Sequence, residues 1–284
     1  MDDSQPTVAR PMPSAESTRP LGRVVRRLAW PVLITYAVLA GSLWCPLVDS
    51  TRAPYFDLTS NFAMVVYWIT QSGGKFGMPF VGVALLTLLV SRRGISADRR
   101  TIECVLIVIV LAVCAGGGAT LNEHFLKTAL QVPRPNIAYL AQADGSGPLG
   151  MSSEAFYAQG DKAARRDPLR EVLDTEPPPV PLAPWIKSHW IEETGYSFPS
   201  GHAFSAMFFA VFFSAMGISY LAGPRLWLMF LVFPWALAVC YSRPILRVHT
   251  PTDISVGGLE GIVSGFVAFL IVRLCLTAWQ KRSP

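Results

Sequence analysis

Apolar residues in this chain do not alternate with polar ones at the short periods of a soluble helix or strand; they run in long blocks. Six blocks approach the roughly 20 apolar residues needed to cross a bilayer as a helix: residues 28–48, 76–90, 102–121, 203–222, 226–241 and 254–276. The second is short and is expected to extend backwards. Between the first two, residues 58–71 form an apolar and aromatic stretch that stops at Ser72, Gly73 and Gly74. That stretch reads as an interfacial helix, with a seventh span as the alternative. The pattern predicts an all-α fold, a six-transmembrane-helix bundle over residues 28–284, preceded by a basic tail over 1–27. The start of the tail is rich in Pro, Ser and Thr and reads as disordered. The first block is longer than a usual signal core and no small-residue cleavage site follows it, so it reads as an anchor.

Composition sharpens this picture. Of 284 residues, 51% are apolar and only 15% charged, against about 25% charged in soluble domains. Disorder, collagen and a disulfide scaffold are excluded. The five cysteines (Cys45, Cys104, Cys114, Cys240, Cys275) show no C-x-x-C spacing and read as small buried hydrophobes, neither metal ligands nor a disulfide framework. The net charge of +5 comes without a nucleic-acid-binding motif, so no nucleic acid partner is expected.

The charge works better as a topology signal. Arg19, Arg23, Arg26 and Arg27 precede the first span; Arg92, Arg93, Arg99 and Arg100 crowd the link between the second and third. Arg225 lies between the fourth and fifth, and Arg273, Lys281 and Arg282 end the chain. In a six-span arrangement all of these fall on one side, which puts both termini in the cytoplasm. Residues 128–198 then lie outside. They hold six Lys/Arg against nine Asp/Glu and a Pro-rich middle, which suggests an extracytoplasmic lid between helices 3 and 4.

With this topology, three polar clusters reach the same outer face: Lys127 to Arg134-Pro135, Pro199-Ser200-Gly201-His202, and Ser242-Arg243 to His249 and Asp253. Polar groups near lipid are costly and usually functional. Lys127, Arg134 and Arg243 suit a phosphate dianion. Ser200 and Gly201 open a helix whose free N–H groups also favour an anion. Two imidazoles can supply a nucleophile and a proton donor. Pro251 fits a first helical position, so Thr250 becomes the cap and Asp253 the third residue, able to reach back and orient His249. His202 is then left as the acid. No carboxylate cluster suggests a metal, and the cations would take its place in stabilising charge.

These three segments, K-x6-R-P, P-S-G-H and S-R-x5-H-x3-D, resemble the signature of the type 2 phosphatidic acid phosphatase superfamily, in its membrane branch with six spans and an extracytoplasmic site. A narrower likeness, to the phosphatidylglycerophosphatase B group, lies in residues 188–199 and in the long segment before them. The resemblance implies hydrolysis of lipid phosphates: phosphatidylglycerophosphate, phosphatidate, diacylglycerol pyrophosphate or undecaprenyl pyrophosphate. It implies His249 as nucleophile through a phosphohistidine, His202 as acid, Asp253 as its orienting partner, and Lys127, Arg134, Ser200, Gly201 and Arg243 as phosphate ligands. It also implies no cofactor, lipid as the only partner, and a bacterial inner membrane. Arg247 and Pro244 depart from what is usual in the family; Arg247 would either contact a second phosphate or snorkel to the interface.

Singly, each residue has a structural explanation: Lys127 and Arg134 as snorkelling helix ends, Ser200 as a plain cap, Asp253 as the partner of Thr250. All would have to hold together. Glu193 lies six residues before Pro199, where it could bind substrate hydroxyls or hold a site cation; a solvated loop carboxylate is the alternative. His189 belongs to the same stretch and would help position the lid. His124 is expected to pack or cap at the end of the third span. The phenylalanines 204, 208, 209, 212 and 213 read as core and lipid-facing packing. A phosphotransferase using the same site, and a lipid-phosphate binder or transporter without turnover, remain open.

Overall fold

The computed structural model describes residues 18–49, 56–142 and 144–281; most of the proline-rich tail lies outside them. The described residues are all-α, without strands. Five helical stretches are long and apolar enough to cross a membrane: Leu21–Trp44, Ala97–Ala141, Gly201–Tyr220, Gly223–Ile245 and Pro251–Gln280. A sixth span forms if α2 (Asn61–Ser72) and α3 (Gly77–Val90), bent by 64° at their break, are counted as one. The protein is an integral membrane protein. The stretch expected to lie at the interface forms α2, which meets α3 at this 64° bend around Gly73 and Gly74.

The first span is α1 (Leu21–Gly41) with a short 3-10 extension. The third begins earlier than its apolar block, with α4 (Ala97–Val110) capped by the Ser96 side chain. Its polar start is accommodated because Arg99 and Glu103 are buried and paired. Glu103 Oε1 lies 2.8 Å from Arg99 Nε and 2.7 Å from Arg92 Nη2, and the guanidiniums stack on Tyr220 and Trp279. Beyond α4 the span continues through two π-helical turns, Leu111–Gly116 and Asn122–Leu126, with α5 (Gly117–Leu121) between them and α6 (Lys127–Leu130) after. It breaks at Gln131, whose φ is 52°.

The remaining spans are α11 (Gly201–Tyr220), α12 and α13 (Gly223–Phe230 and Val232–Ile245), and α14 (Pro251–Gln280). Every residue of α11 from Ala206 to Ser219 is buried, so the helix has no lipid face. The phenylalanines expected to be shared between core and lipid are all buried, because α1, α3, α13 and α14 surround α11. The closest partner is α14. A methyl group at Gly257 or Gly261 would overlap the Ser200 or Phe204 carbonyl, and one at Gly265 would come within 2.6 Å of the Phe208 carbonyl. Small residues four apart let the two backbones touch, which fixes the start of α11 against the start of α14.

Residues between the break at Gln131 and α11 fold as a cap of four short helices: α7 (Pro135–Ala141), at the end of the third apolar stretch, α8 (Ser153–Tyr157), α9 (Arg166–Leu173) and α10 (Pro184–Glu192). The cap has its own apolar core, including Ile137, Phe156, Leu169, Ile186 and Trp190, which continues onto Val66 of α2 and Leu246. It is held down by Trp190 Nε1 donating to the Leu246 carbonyl at 2.8 Å.

Candidate active site

The site forms where α11 and α14 begin. Ser200 caps α11 and its backbone N–H donates to the Asp253 carbonyl at 3.1 Å. The two helix N-termini, one carrying His202 and the other following His249, are thereby tied together.

The start of α14 is a reciprocal capping box. Thr250 Oγ1 accepts from Asp253 N at 3.2 Å, and Asp253 Oδ2 accepts from Thr250 N at 2.7 Å. The same carboxylate oxygen lies 3.3 Å from His249 Nδ1 and accepts from the Ser197 hydroxyl. On the far side of the ring, Arg134 Nη1 lies 3.2 Å from His249 Nε2. A guanidinium only donates, so Nε2 accepts and the ring proton sits on Nδ1, facing the carboxylate. Burial above all, and then Arg134, lower the His249 pKa to about 3, with Asp253 opposing the shift. The imidazole is therefore neutral, with its lone pair on Nε2.

The cations are fixed by their surroundings. Arg134, 1% exposed, donates from Nε to the Gly195 carbonyl at 2.8 Å and from Nη1 to the Val248 carbonyl at 2.9 Å. Arg243, in the last turn of α13, donates to Thr70 Oγ1 of α2 at 2.7 Å and lies 3.2 Å from His189 Nε2. Burial first, then Arg243, lower the His189 pKa to about 4, so its Nε2 is an acceptor. Glu193 joins the two arginines: Oε2 lies 2.7 Å from Arg134 Nη2 and Oε1 2.8 Å from Arg243 Nη2. Burial would raise the Glu193 pKa, but the two guanidiniums hold it well below the usual carboxylate value. Lys127 Nζ pairs with Glu123 Oε2 at 2.8 Å, within electrostatic reach of Arg134 and Glu193. Glu123 also pairs with Lys162 of the cap.

The residues singled out in the sequence thus converge: His249, Asp253, Arg134, Arg243, Glu193 and Ser200 are joined by these contacts, and Lys127, paired with Glu123, lies within electrostatic reach of Arg134 and Glu193. His202, in the first turn of α11, faces the α2–α3 break; a methyl at Gly74 would sit 3.2 Å from its Nε2. Gly201 precedes it, and the first N–H groups of α11 have no acceptor within the helix. Arg247 turns to the cap, with its guanidinium 4.4 Å from the Tyr139 ring centre, and His124, expected to pack or cap, is exposed. Sequence reasoning missed Ser197, Thr70 and Glu123. Ser197 had one signal, its position two residues before Pro199. Thr70 had none beyond lying on an apolar stretch, and Glu123 had one, its position one helical turn before Lys127. Among the described residues no cluster of three or more His, Cys, Asp or Glu side chains is arranged to hold a metal ion.

The sequence is 30% identical over 169 residues to phosphatidylglycerophosphatase B of Escherichia coli (strain K12), covering 59% of this chain and 61% of that protein. It is 30% identical over 152 residues to phosphatidylglycerophosphatase B of Haemophilus influenzae, covering 52% and 58%. The match thus spans about three-fifths of the length of these curated relatives. The profile of the PAP2 superfamily matches residues 103–276, from within α4 to the last turns of α14, and so takes in Lys127, Arg134, Glu193, Ser200, His202, Arg243, His249 and Asp253; the chain belongs to the PAP2 superfamily.

Proposed function

We propose that the protein is a lipid phosphatase that hydrolyses phosphomonoester or pyrophosphate headgroups without a metal ion. The observation that carries this reading is the polarised His249, with Asp253 on Nδ1 and an arginine on Nε2. A binder would need cations only; an orienting carboxylate behind a buried neutral imidazole suits nucleophilic attack. Its similarity to phosphatidylglycerophosphatase B points to phosphatidylglycerophosphate, phosphatidate, diacylglycerol pyrophosphate and undecaprenyl pyrophosphate as the substrate class.

In this mechanism the phosphoryl group binds among Lys127, Arg134, Arg243 and the N–H groups following Ser200 at the start of α11. His249 Nε2 attacks phosphorus and the bond to the lipid oxygen breaks. His202 gives that oxygen its proton, and Asp253 stabilises the positive charge that grows on His249. Water then attacks the phosphohistidine, with His202 taking its proton, and inorganic phosphate leaves. Glu193 acts on the same site by holding both arginines, and the cap over 128–198 acts as its lid. The arginine distribution supports cytoplasmic termini and an extracytoplasmic site, as in a bacterial inner-membrane enzyme acting on lipid with no obligate protein partner.

The test is phosphate release by detergent-purified protein in EDTA, from phosphatidylglycerophosphate, phosphatidate and undecaprenyl pyrophosphate. Release that survives chelation and falls at least about 10³-fold in His249→Ala is expected. Release from none of the three would overturn the reading.

A further inference from the structure

A second feature lies at the other membrane face, where α11 ends. A cavity of about 790 Å³ opens between α1 and α12–α13. With α11 20 residues long, it lies roughly 30 Å from the candidate active site. Its walls are mostly apolar, with Pro31, Phe230 and Phe233 among them, and Trp227, which also lines it, is 74% exposed. Two arginines, Arg19 and Arg27, also line it.

The arginines differ in attachment. Arg19 Nη1 donates to the carbonyls of Ile218 and Leu221 at 2.5 and 2.7 Å, and Arg273 Nη2 donates to the Arg19 carbonyl at 2.8 Å. Arg19 is therefore pinned to the C-terminal end of α11 and to α14. Arg27 is exposed. Partial burial, and then the neighbouring charges of Arg27 and Arg23, lower the Arg19 pKa, so an anion placed here would relieve the crowding.

We infer that this cleft binds an anionic phospholipid of the leaflet at which the chain begins, its phosphodiester against Arg19 and Arg27 and its acyl chains along Phe230 and Phe233. A cationic mouth above apolar walls matches the amphipathic profile of such a lipid. A transmembrane partner helix would instead call for small residues and a closely fitting apolar face. The site is separate from the hydrolytic one, and binding here does not depend on turnover.

Trp227 reports occupancy. The purified protein is placed in phosphatidylcholine vesicles carrying brominated-chain phosphatidylglycerol or, in a parallel series, brominated-chain phosphatidylcholine. The Trp227 signal is taken as the difference between wild type and Trp227→Phe. Brominated phosphatidylglycerol is expected to quench it at a several-fold lower mole fraction than brominated phosphatidylcholine. Arg27→Ala should reduce that preference about fivefold, and Arg27→Lys should retain most of it. Quenching by brominated phosphatidylcholine provides the check that each variant is folded and lipid-embedded. Equal quenching by the two lipids in wild type, or an undiminished preference in Arg27→Ala, would overturn the inference in favour of ordinary annular lipid.

Discussion

Glu193 Oε2 lies 2.7 Å from Arg134 Nη2, so a carboxylate occupies donors that the proposed phosphate would use, and its other oxygen does the same at Arg243. An entering dianion must compete with this internal anion. Glu193→Gln keeps the shape and removes the charge. Inhibition by inorganic phosphate is therefore expected to tighten by about tenfold, equivalent to roughly 1.4 kcal/mol. Weaker inhibition would show instead that Glu193 serves mainly to hold the arginines in place.

Asp253 has two tasks that one substitution separates. Its Oδ2 faces His249 Nδ1 and also accepts from Thr250 N. In Asp253→Asn the amide oxygen can still cap α14, so thermal stability should change by no more than about 1 kcal/mol. The charge opposite the imidazolium is lost, and kcat should fall roughly 10³-fold or more with KM little altered. A loss in kcat below tenfold would remove Asp253 from the chemistry.

Much of this arrangement was legible in the sequence because it is local. Pro251, Thr250 and Asp253 define a helix start whose geometry brings the carboxylate back to His249 whatever the rest of the chain does. The apolar blocks likewise announce the spans. The legible part stops where tertiary closure decides. Residues 61–72 look the same whether they lie at an interface or form one limb of a bent pair, and neither their packing against α13 and the cap nor the 64° bend to α3 is visible in hydropathy. Arg99 and Glu103 concealed the start of the third span because burial of paired charges leaves no hydropathy signal. Ser197 is a small polar residue without periodicity, and its role arises only when the cap lays residues 194–199 beside α14. For Glu193 the sequence left open whether it would meet substrate or a cation, and it meets two cations.

Protonation should govern acid stability. His249 and His189 have folded pKa values of about 3 and about 4, below the ordinary 6.5, set first by burial and then by neighbouring arginines. Between those values and 6.5 the unfolded chain binds more protons than the folded one, so stability falls as pH drops. Above about pH 6.5 the two histidines contribute no slope. By pH 5 each costs about 2 kcal/mol, in a range where carboxylates are still largely ionised. Thermal unfolding in detergent should therefore show a lower Tm at pH 5 than at pH 7. His189→Gln and His249→Gln should each flatten that dependence, and an unchanged slope in both would contradict the assignment.

The α11–α14 contact links packing to catalysis. Gly261 lies against the Phe204 carbonyl, one turn into α11 from Ser200, and a backbone atom cannot move aside as a flexible side chain would. Gly261→Ala must push the helices apart, at a cost of about 1–3 kcal/mol. The displacement would also loosen the Ser200 N to Asp253 O bond that ties the helix start carrying His202 to the helix start following His249. A fall in Tm together with a fall in kcat of at least tenfold is expected, since small misplacements of catalytic groups are costly. Gly116→Ala is the comparison: a methyl there meets nothing within 4 Å, so both Tm and kcat should stay near wild type. Equal effects at the two positions would mean that helix flexibility, and not the close approach of these backbones, is what the glycines provide.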